Sequence, residues 1–522
     1  MWSDIIPLLP FAAPAVLILA AICAALEHRQ RPRVSSTLAE FAAATALVFA
    51  VTSAWGLIQL GPQTSELLGL NGVGLSVRLD AVSVIMLLLV SFIGWVVVRY
   101  ARTYLDGEPA QNRFTALLCA TLASVLLLVS AGNLVQLSAA WIATGFFLHR
   151  LLMFYPERVA ALRAARKMSL SAKLSGSAVI AACGILAYGY ATTDIATILD
   201  AARAGDQVAF ALTAAILLAI AAVLQSAQFP MHGWLTEVME APTPVSALLH
   251  AGVINAGGFL LIRFADILIA APGVLAALAL LGGFTALLGG LVMLTQPAVK
   301  SSLAWSTVAQ MGFMIFQCGL ALFPLALLHI VAHSLYKAHA FLASGSAIDL
   351  VAANRRPGPV AIPSGAAIVK AFTIALAMFA IVGLFFGFAD KSPQAIALGA
   401  ILIFGVAYLV AQGLADAAPR ELTQRTMIYS AAAAIGYFAL QAGAVALTSG
   451  TLPPTPEAGP LVWAMIVLAF LAFGFVAVAQ SAFPIWSNHP AAASLRVHLA
   501  NGLYANAIVD RLIGGWSTQR SA

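Results

Sequence analysis

The chain has 522 residues, of which 62% are hydrophobic and 9% charged, with a net charge of +6 at pH 7. Soluble globular proteins carry about a quarter charged residues, so this composition excludes a water-soluble domain. It predicts an all-α polytopic membrane protein.

Apolar runs of roughly 20 residues, long enough to cross a hydrocarbon core as helices, recur along the chain. They predict about fifteen spans within a single transmembrane domain, residues 1–482. The first run has no basic n-region and is too long for a signal peptide, so it is expected to remain as a span. The predicted spans are 5–27, 37–60, 79–99, 113–131, 133–154, 169–190, 207–239, 244–264, 267–294, 301–321, 324–349, 365–388, 394–413, 427–448 and 460–482.

The charges of the connecting loops alternate along the chain. The odd-numbered loops are basic, as in the segment 158–173, whereas the even-numbered loops are poor in base and the one at 194–206 is acidic. Basic residues mark the cytoplasmic side of a membrane protein. The pattern predicts an N-terminus outside the cytoplasm and a cytoplasmic C-terminus.

The segment QSAQFPMHGWLTEVMEAPTPVSALLH, residues 225–250, is unusually polar for its surroundings. A broken helix is expected around Gln225, Phe229 and Pro230, because proline removes a backbone donor. Two interpretations of His250 stay open, a packed hydrogen-bonded residue and a relay group. Glu237 and Glu240 are expected at a cytoplasmic mouth, with two interfacial carboxylates facing water as the alternative.

A second polar group follows in the eleventh predicted span. His329, His333 and Lys337 are spaced by four residues, so they form one stripe on a helix. Charged groups inside a membrane are costly and commonly mark ion or proton routes. The alternative is neutral histidines bonded to carbonyls and a snorkelling lysine. Lys300, at the start of the tenth predicted span, is either a relay residue or a topology signal.

After residue 482 the sequence changes character. Residues 483–522 are amphipathic and predict a cytoplasmic tail that lies at the membrane interface or docks on a partner. The four cysteines are isolated in apolar segments, and no motif for a nucleotide, haem or zinc occurs. The sequence therefore predicts no catalytic residues, no cofactor and no metal in this chain, and no nucleic-acid partner.

Three segments, SAQFPMHGWLTEVMEAPTPVSALLHAG, KSSLAWSTVAQMGFM and HSLYKAHAFLASGS, resemble the antiporter-like membrane subunits of respiratory complex I and multi-subunit sodium/proton antiporters. The resemblance covers roughly residues 75–350. It implies two inverted five-helix repeats with broken helices, in a core of about residues 113–412. By motif position, it also implies that His250, Lys300, His333 and Lys337 line a proton path.

The sequence departs from this family at an ion pair of the first half-channel. The family has a glutamate after the tryptophan of the fifth span, where this chain has Ile142, and a lysine where this chain has Gln225. Because both charged residues of this ion pair are missing, neither is left as an unpaired charge in the membrane. This departure argues against a standard respiratory pump subunit.

The segments FYPERVAALRAARKMSLSAKL and HLANGLYANAIVDRL resemble the narrower group of DabB-type membrane subunits of bacterial inorganic-carbon complexes. This resemblance implies a subunit of the bacterial inner membrane, with a periplasmic N-terminus, that conducts protons or sodium ions and is not itself an enzyme. It also implies a large cytoplasmic partner of the DabA type, whose zinc site, like that of a β-carbonic anhydrase, hydrates CO2 to bicarbonate. The alternatives are a pump or antiporter subunit of a complex I-like or Mrp-like assembly, and a non-conducting membrane anchor.

Overall fold

A computed structural model describes residues 6–27, 33–70, 72–206, 208–238, 241–345, 364–413, 420–482 and 486–513. The described chain is a bundle of α-helices, as the composition predicts. The helices are α1 Leu9–Leu26, α2 Arg33–Leu60, α3 Ala81–Tyr104, α4 Gln111–Val129, α5 Leu134–Leu152, α6 Val159–Tyr190, α7 Ile195–Ala204, α8 Ala211–Gln225, α9 Gly233–Thr236, α10 Thr243–Ala251, α11 Ala256–Arg263, α12 Ala265–Ile269, α13 Pro272–Met293, α14 Val299–Gly319, α15 Phe323–Leu342, α16 Gly365–Phe385, α17 Pro393–Gly413, α18 Arg420–Thr448, α19 Pro460–Ser481, α20 Pro490–Ala500 and α21 Ala505–Ile513.

Fewer helices are long and apolar enough to count as membrane spans than the sequence predicts. Among the described residues, 11 helices are long and apolar enough to cross a membrane, and two further apolar helices, at Ala211–Gln225 and Pro393–Ala407, are shorter. Helices α5 and α14 have 19 and 21 residues but carry more polar side chains. The chain is a multi-pass membrane protein, and the total of fifteen spans stays a prediction.

Two helical segments are interrupted near the predicted site residues. α8 ends at Gln225 and the next helical turn, α9, begins at Gly233, so the helix breaks where Phe229 and Pro230 are placed. A second interruption separates α10 from α11, where Val253–Asn255 forms a single 3-10 turn after Gly252. Such breaks free backbone groups inside the bundle, where side chains must satisfy them.

The loops lie on two sides of the bundle, called here the tail side and the far side. The tail side carries α20 and α21, and the amide of Gln296 donates to the Ala500 carbonyl there at 3.3 Å. The far side carries four short strands in two antiparallel pairs: β1 Gln63–Thr64 with β4 Arg78–Leu79, and β2 Leu68–Leu70 with β3 Val73–Leu75.

The far side is held together by bonds between distant loops. Arg203, at the end of α7, donates from two nitrogens to the Asp266 carboxylate at 3.0 Å each. The same guanidinium donates to the Thr451 carbonyl at 2.9 Å. The amide of Gln394 donates to the Pro456 carbonyl at 2.9 Å. These bonds tie the loop after α18 to both early and late parts of the bundle.

A deeply buried ion pair lies at the far-side end of α3. Asp80 caps this helix by accepting from the Ser83 amide at 2.8 Å. The Arg263 guanidinium, at the end of α11, bonds both oxygens of the Asp80 carboxylate, at 2.5 and 3.2 Å. Arg78 also contacts this carboxylate at 2.6 Å. One carboxylate thus joins two helices and a strand.

Helices α13 and α14 pack with their backbones in close approach. A methyl group added at Gly312 of α14 would overlap the backbone of Gly282 and Ala286 in α13. Small residues allow this approach between membrane helices, where van der Waals packing holds helices together. The second of these helices carries part of the candidate site, so its position depends on the small residues.

We expect Gly312→Ala to destabilise the protein by about 1–3 kcal/mol, the usual cost of overpacking. The measurement is the thermal unfolding midpoint of the detergent-purified protein. Gly290→Ala in α13 is the matched control, because a methyl group there meets no atom within 4 Å. Equal midpoints for the two variants would contradict the close-packing explanation.

Candidate functional site

Lys337 lies inside the bundle, on the second turn from the tail-side end of α15. Its side chain is fully buried at 0% exposure. The ammonium group donates to the Leu303 carbonyl at 2.9 Å and to the Ser306 hydroxyl at 2.8 Å, both on α14. Both partners are uncharged oxygens. A lysine held in this way can release its proton without leaving a carboxylate unpaired in the membrane.

A threonine connects the neighbourhood of Lys337 to His250. The Thr307 hydroxyl donates to the same Leu303 carbonyl at 3.1 Å. Its oxygen also lies 3.0 Å from Nδ1 of His250 in α10. Because a hydroxyl has one proton and two lone pairs, the Thr307 oxygen can accept a hydrogen bond from Nδ1. The link from α15 to α10 therefore runs through α14.

His333 and His250 meet inside the bundle. Nε2 of His333 donates to the His250 backbone carbonyl at 3.2 Å. The His250 ring stacks on Phe341, one turn beyond Lys337, with 4.3 Å between ring centroids. Both histidines are buried, with exposures of 0% for His250 and 5% for His333. These contacts fix both rings.

The stripe on α15 continues towards the far side. The rings of His329 and His333 lie 5.9 Å apart between centroids, and His329 is half-buried. At 1.5 Å per residue, the eight residues from His329 to Lys337 span about 12 Å of the helix. The three side chains share one face, as their spacing predicts.

Asn255 and Ser334 extend the polar interior around the second helix break. The Asn255 amide donates to the Ser334 hydroxyl at 2.9 Å and to the Ala251 carbonyl at 3.0 Å. The Ala251 carbonyl lies at the interruption after α10. Asparagine thus satisfies a backbone group that the break would otherwise leave in an apolar interior.

The remaining predicted residues lie nearer the tail side. Lys300 is the second residue of α14, and its ammonium lies 3.4 Å from the Thr243 hydroxyl. Glu237 follows α9 and accepts from Lys167 at 2.8 Å. Glu240 lies outside the described residues. Lys300 and Glu237 are therefore placed towards one end of the bundle, apart from the contacts that join Lys337, His333 and His250.

The residues at the first helix break have different environments. Gln225 is buried, whereas Pro230 is exposed. The Phe229 ring packs edge-on against Phe284 at 5.3 Å between centroids. Ile142, at the position where the resemblance implies a glutamate in the family, is 48% exposed on the outer surface of α5. An apolar side chain suits that lipid-facing position.

The sequence alone did not identify several side chains that complete the site. Ser306, Thr307, Asn255 and Ser334 all hold a predicted site residue or a helix break in place. Their signal was a small polar side chain in an otherwise apolar run, which is common in membrane helices and therefore weak. Among the described residues, no three His, Cys, Asp or Glu side chains form a cluster able to hold a metal ion.

Comparisons with known proteins identify the family and the fold of this chain. A family model described as NADH:quinone oxidoreductase/Mrp antiporter, transmembrane, matches residues 131–356. A second, for the N-terminus of complex I chain 5, matches residues 69–115. The solved Mrp complex from a Dietzia species contains a chain that superposes with a TM-score of 0.63 at 24% identity, over 98% of this chain and 60% of that chain. This similarity establishes the fold.

Relatives in the curated set are closer in sequence. The probable inorganic carbon transporter subunit DabB2 of Halothiobacillus neapolitanus is 39% identical over 97% of this chain and 93% of its own length. A probable DabB subunit of Hydrogenovibrio crunogenus is 44% identical over 54% of this chain and 55% of its own length. NAD(P)H-quinone oxidoreductase chain 5 of Synechocystis is 36% identical over 52% of this chain and 40% of its own length.

Proposed function

The chain belongs to the antiporter-like membrane subunits, within their DabB type, and from this premise we propose that it conducts protons or sodium ions for inorganic-carbon uptake. It is a transporter subunit of a multi-subunit membrane assembly and not an enzyme. The proposal concerns the ion, its route and the use to which its gradient is put.

The observation that carries the proposal is the series of hydrogen bonds from Lys337 to His333. Lys337 and Thr307 both donate to the Leu303 carbonyl, Thr307 contacts His250, and the His250 carbonyl accepts from His333. The two carbonyls only accept hydrogen bonds, so these contacts bring the titratable side chains together and water between them would carry the proton. Each of the three titratable side chains is buried. A membrane anchor has no need of such groups, which are costly inside a bilayer. Proton transfer requires titratable groups within reach of each other or of a bridging water.

We propose that the ion gradient drives CO2 hydration in a separate cytoplasmic partner of the DabA type. That partner would hold zinc in a site like that of a β-carbonic anhydrase and convert CO2 to bicarbonate. Coupling hydration to ions flowing down their gradient would make it effectively one-way. This division of labour is supported by a chain that offers relay residues and by relatives named as inorganic carbon transporter subunits.

The deciding experiment is purification of the complex from native membranes in mild detergent, followed by identification of its subunits and a zinc assay. We expect a large zinc-containing cytoplasmic protein. Quinone-linked or other antiporter-type subunits in its place would favour the redox-driven pump or antiporter. A zinc protein together with a membrane subunit that passes no ions in proteoliposomes would favour the non-conducting anchor.

The tail offers a test of where the partner binds. Helix α20 contains no buried residue, and its Leu495 and Val497 side chains are 46% and 55% exposed. We expect truncation before Ser487 to release the partner during co-purification. Truncation after Ile513 is the matched control, since it keeps α20 and α21. Full partner recovery after truncation before Ser487 would place the docking surface elsewhere, for example on the basic first turns of α6, where the structure places most of the predicted basic loop 158–173.

A further inference from the structure

A charge cluster on the tail side joins three distant parts of the chain. Lys167 of α6 forms ion pairs with Glu237, after α9, at 2.8 Å and with Asp510 of α21 at 2.6 Å. The side chains of Lys167 and Asp510 are 5% and 8% exposed, and that of Glu237 is 22% exposed. The tail helix therefore contributes a buried carboxylate to the mouth of the broken helix.

An asparagine of the tail completes the cluster. Lys167 donates to Oδ1 of Asn506 at 2.6 Å, and the Asn506 amide donates to Glu237. The tail helix comes this close because Gly233 has no side chain, and a methyl group there would overlap the Asn506 amide. Asn506 and Asp510 are four residues apart, so they lie on the same face of α21. That face is seated on the start of α9.

Among the described residues, the cluster has an excess of negative charge, because one ammonium group faces two carboxylates. All three charges are largely shielded from water. An uncompensated charge in such surroundings is costly. A small cation that reaches the cluster relieves this excess.

An independent observation concerns the buried side chain of His232, next to the cluster. His232, directly before Gly233, is 1% exposed, and neither ring nitrogen has a hydrogen-bond partner among the described residues. A methyl group added at Gly502, in the turn before α21, would lie 3.9 Å from Nε2 of His232. The His232 ring packs on Trp305 at 4.8 Å between centroids, and Trp305 belongs to α14, the helix whose Ser306 accepts from Lys337. A polar side chain thus connects the tail to the helix that holds Lys337.

We propose that Asp510, Glu237 and Lys167 form the tail-side mouth of the cation path, in which Asp510 accepts the cation and His232 leads towards Lys337. The inference rests on the proposed function and adds to it a working role for the tail. The tail helix α21 is then part of the conducting structure, and α20 remains exposed beside it.

The test is ion flux in proteoliposomes that contain the whole native complex, with an imposed proton or sodium gradient and the matching fluorescent indicator. We expect Asp510→Asn to lower the flux by about tenfold or more, in line with the loss of one acid–base group, and Asp510→Glu to retain most of it. Glu157→Gln, which removes an exposed carboxylate in the loop before α6, is the matched control and is expected to leave the flux unchanged.

The outcomes separate this inference from the proposed function. If the unmodified complex conducts and Asp510→Asn conducts equally well, the mouth is assigned wrongly while the conducting function stands. If the unmodified complex passes neither ion, both fall.

A second measurement covers a variant that fails to assemble. The unmodified complex is treated with a hydrophobic carbodiimide and mapped by mass spectrometry. Flux that falls in step with modification of Asp510 or Glu237 supports the inference. Full flux after their modification, or no modification of either, overturns it.

Discussion

Replacing Lys337 by alanine is expected to lower cation flux through the complex by about 100-fold or more, within the range that a positioned acid–base group contributes. Lys337 is fully buried, and its partners are the Leu303 carbonyl and the Ser306 hydroxyl. Alanine removes the titratable group and leaves only neutral oxygens behind, so no unpaired charge remains to unfold the bundle. The complex should therefore assemble but not conduct.

The measurement is flux in proteoliposomes together with growth under CO2 limitation. Lys370→Ala makes the same substitution at an exposed position near the start of α16 and is expected to leave both readouts unchanged. Recovery of the intact complex by gel filtration shows whether assembly survives. Growth and flux equal to those of the unmodified protein would remove Lys337 from the path.

Replacing Asp80 by alanine is expected to destabilise the protein by about 3–5 kcal/mol, because it leaves the Arg263 guanidinium buried without its carboxylate. Burial by itself raises the pKa of Asp80, but Arg263 and Arg78 outweigh it and hold the pKa well below its usual range. The carboxylate is therefore ionised at neutral pH. Its pairing contributes fully above the ordinary carboxyl pKa of about 3.9 and is lost only in strong acid.

The thermal unfolding midpoint at neutral pH measures this loss. Glu40→Ala is the matched control, since it breaks an ion pair with Arg102, whose side chain is 45% exposed, and such exposed pairs contribute at most about 1 kcal/mol. Asp80→Ala should lower the midpoint far more than Glu40→Ala. Similar midpoints would show that Arg263 finds other partners when Asp80 is absent.

The helices and the stripe on α15 could be predicted because they are local properties of the sequence. Apolar run length determines which segments can cross a membrane, and spacing by four residues places His329, His333 and Lys337 on one face. The break near Phe229 and Pro230 has an equally local cause in the missing proline donor. The family resemblance added the fold, which run length and spacing do not contain, and it implied the same proton path for Lys337 that its burial in an apolar segment had suggested.

The partners of these residues could not be predicted, because they depend on how the helices pack. Lys167 and Asn506 are 339 positions apart, and no periodicity connects them. The sequence predicts an amphipathic tail, but the same amphipathic face suits a lipid surface, a partner or the chain itself. The structure shows that α21 is seated on its own bundle. Thr307 between His250 and Leu303 likewise follows only from the packing of α14 against α10.

The bonds around Arg203 restrict how such a subunit can move. Arg203 holds Asp266 and the Thr451 carbonyl together, so the loop after α18 is tied to the short helix α12 on the far side. Rocking one half of the molecule against the other, as many secondary transporters do, would require these charge-assisted bonds to break in every cycle. Transfer between side chains on stationary helices requires none of them to break. The bonds around Arg203 therefore favour a subunit that conducts ions through a fixed frame of helices.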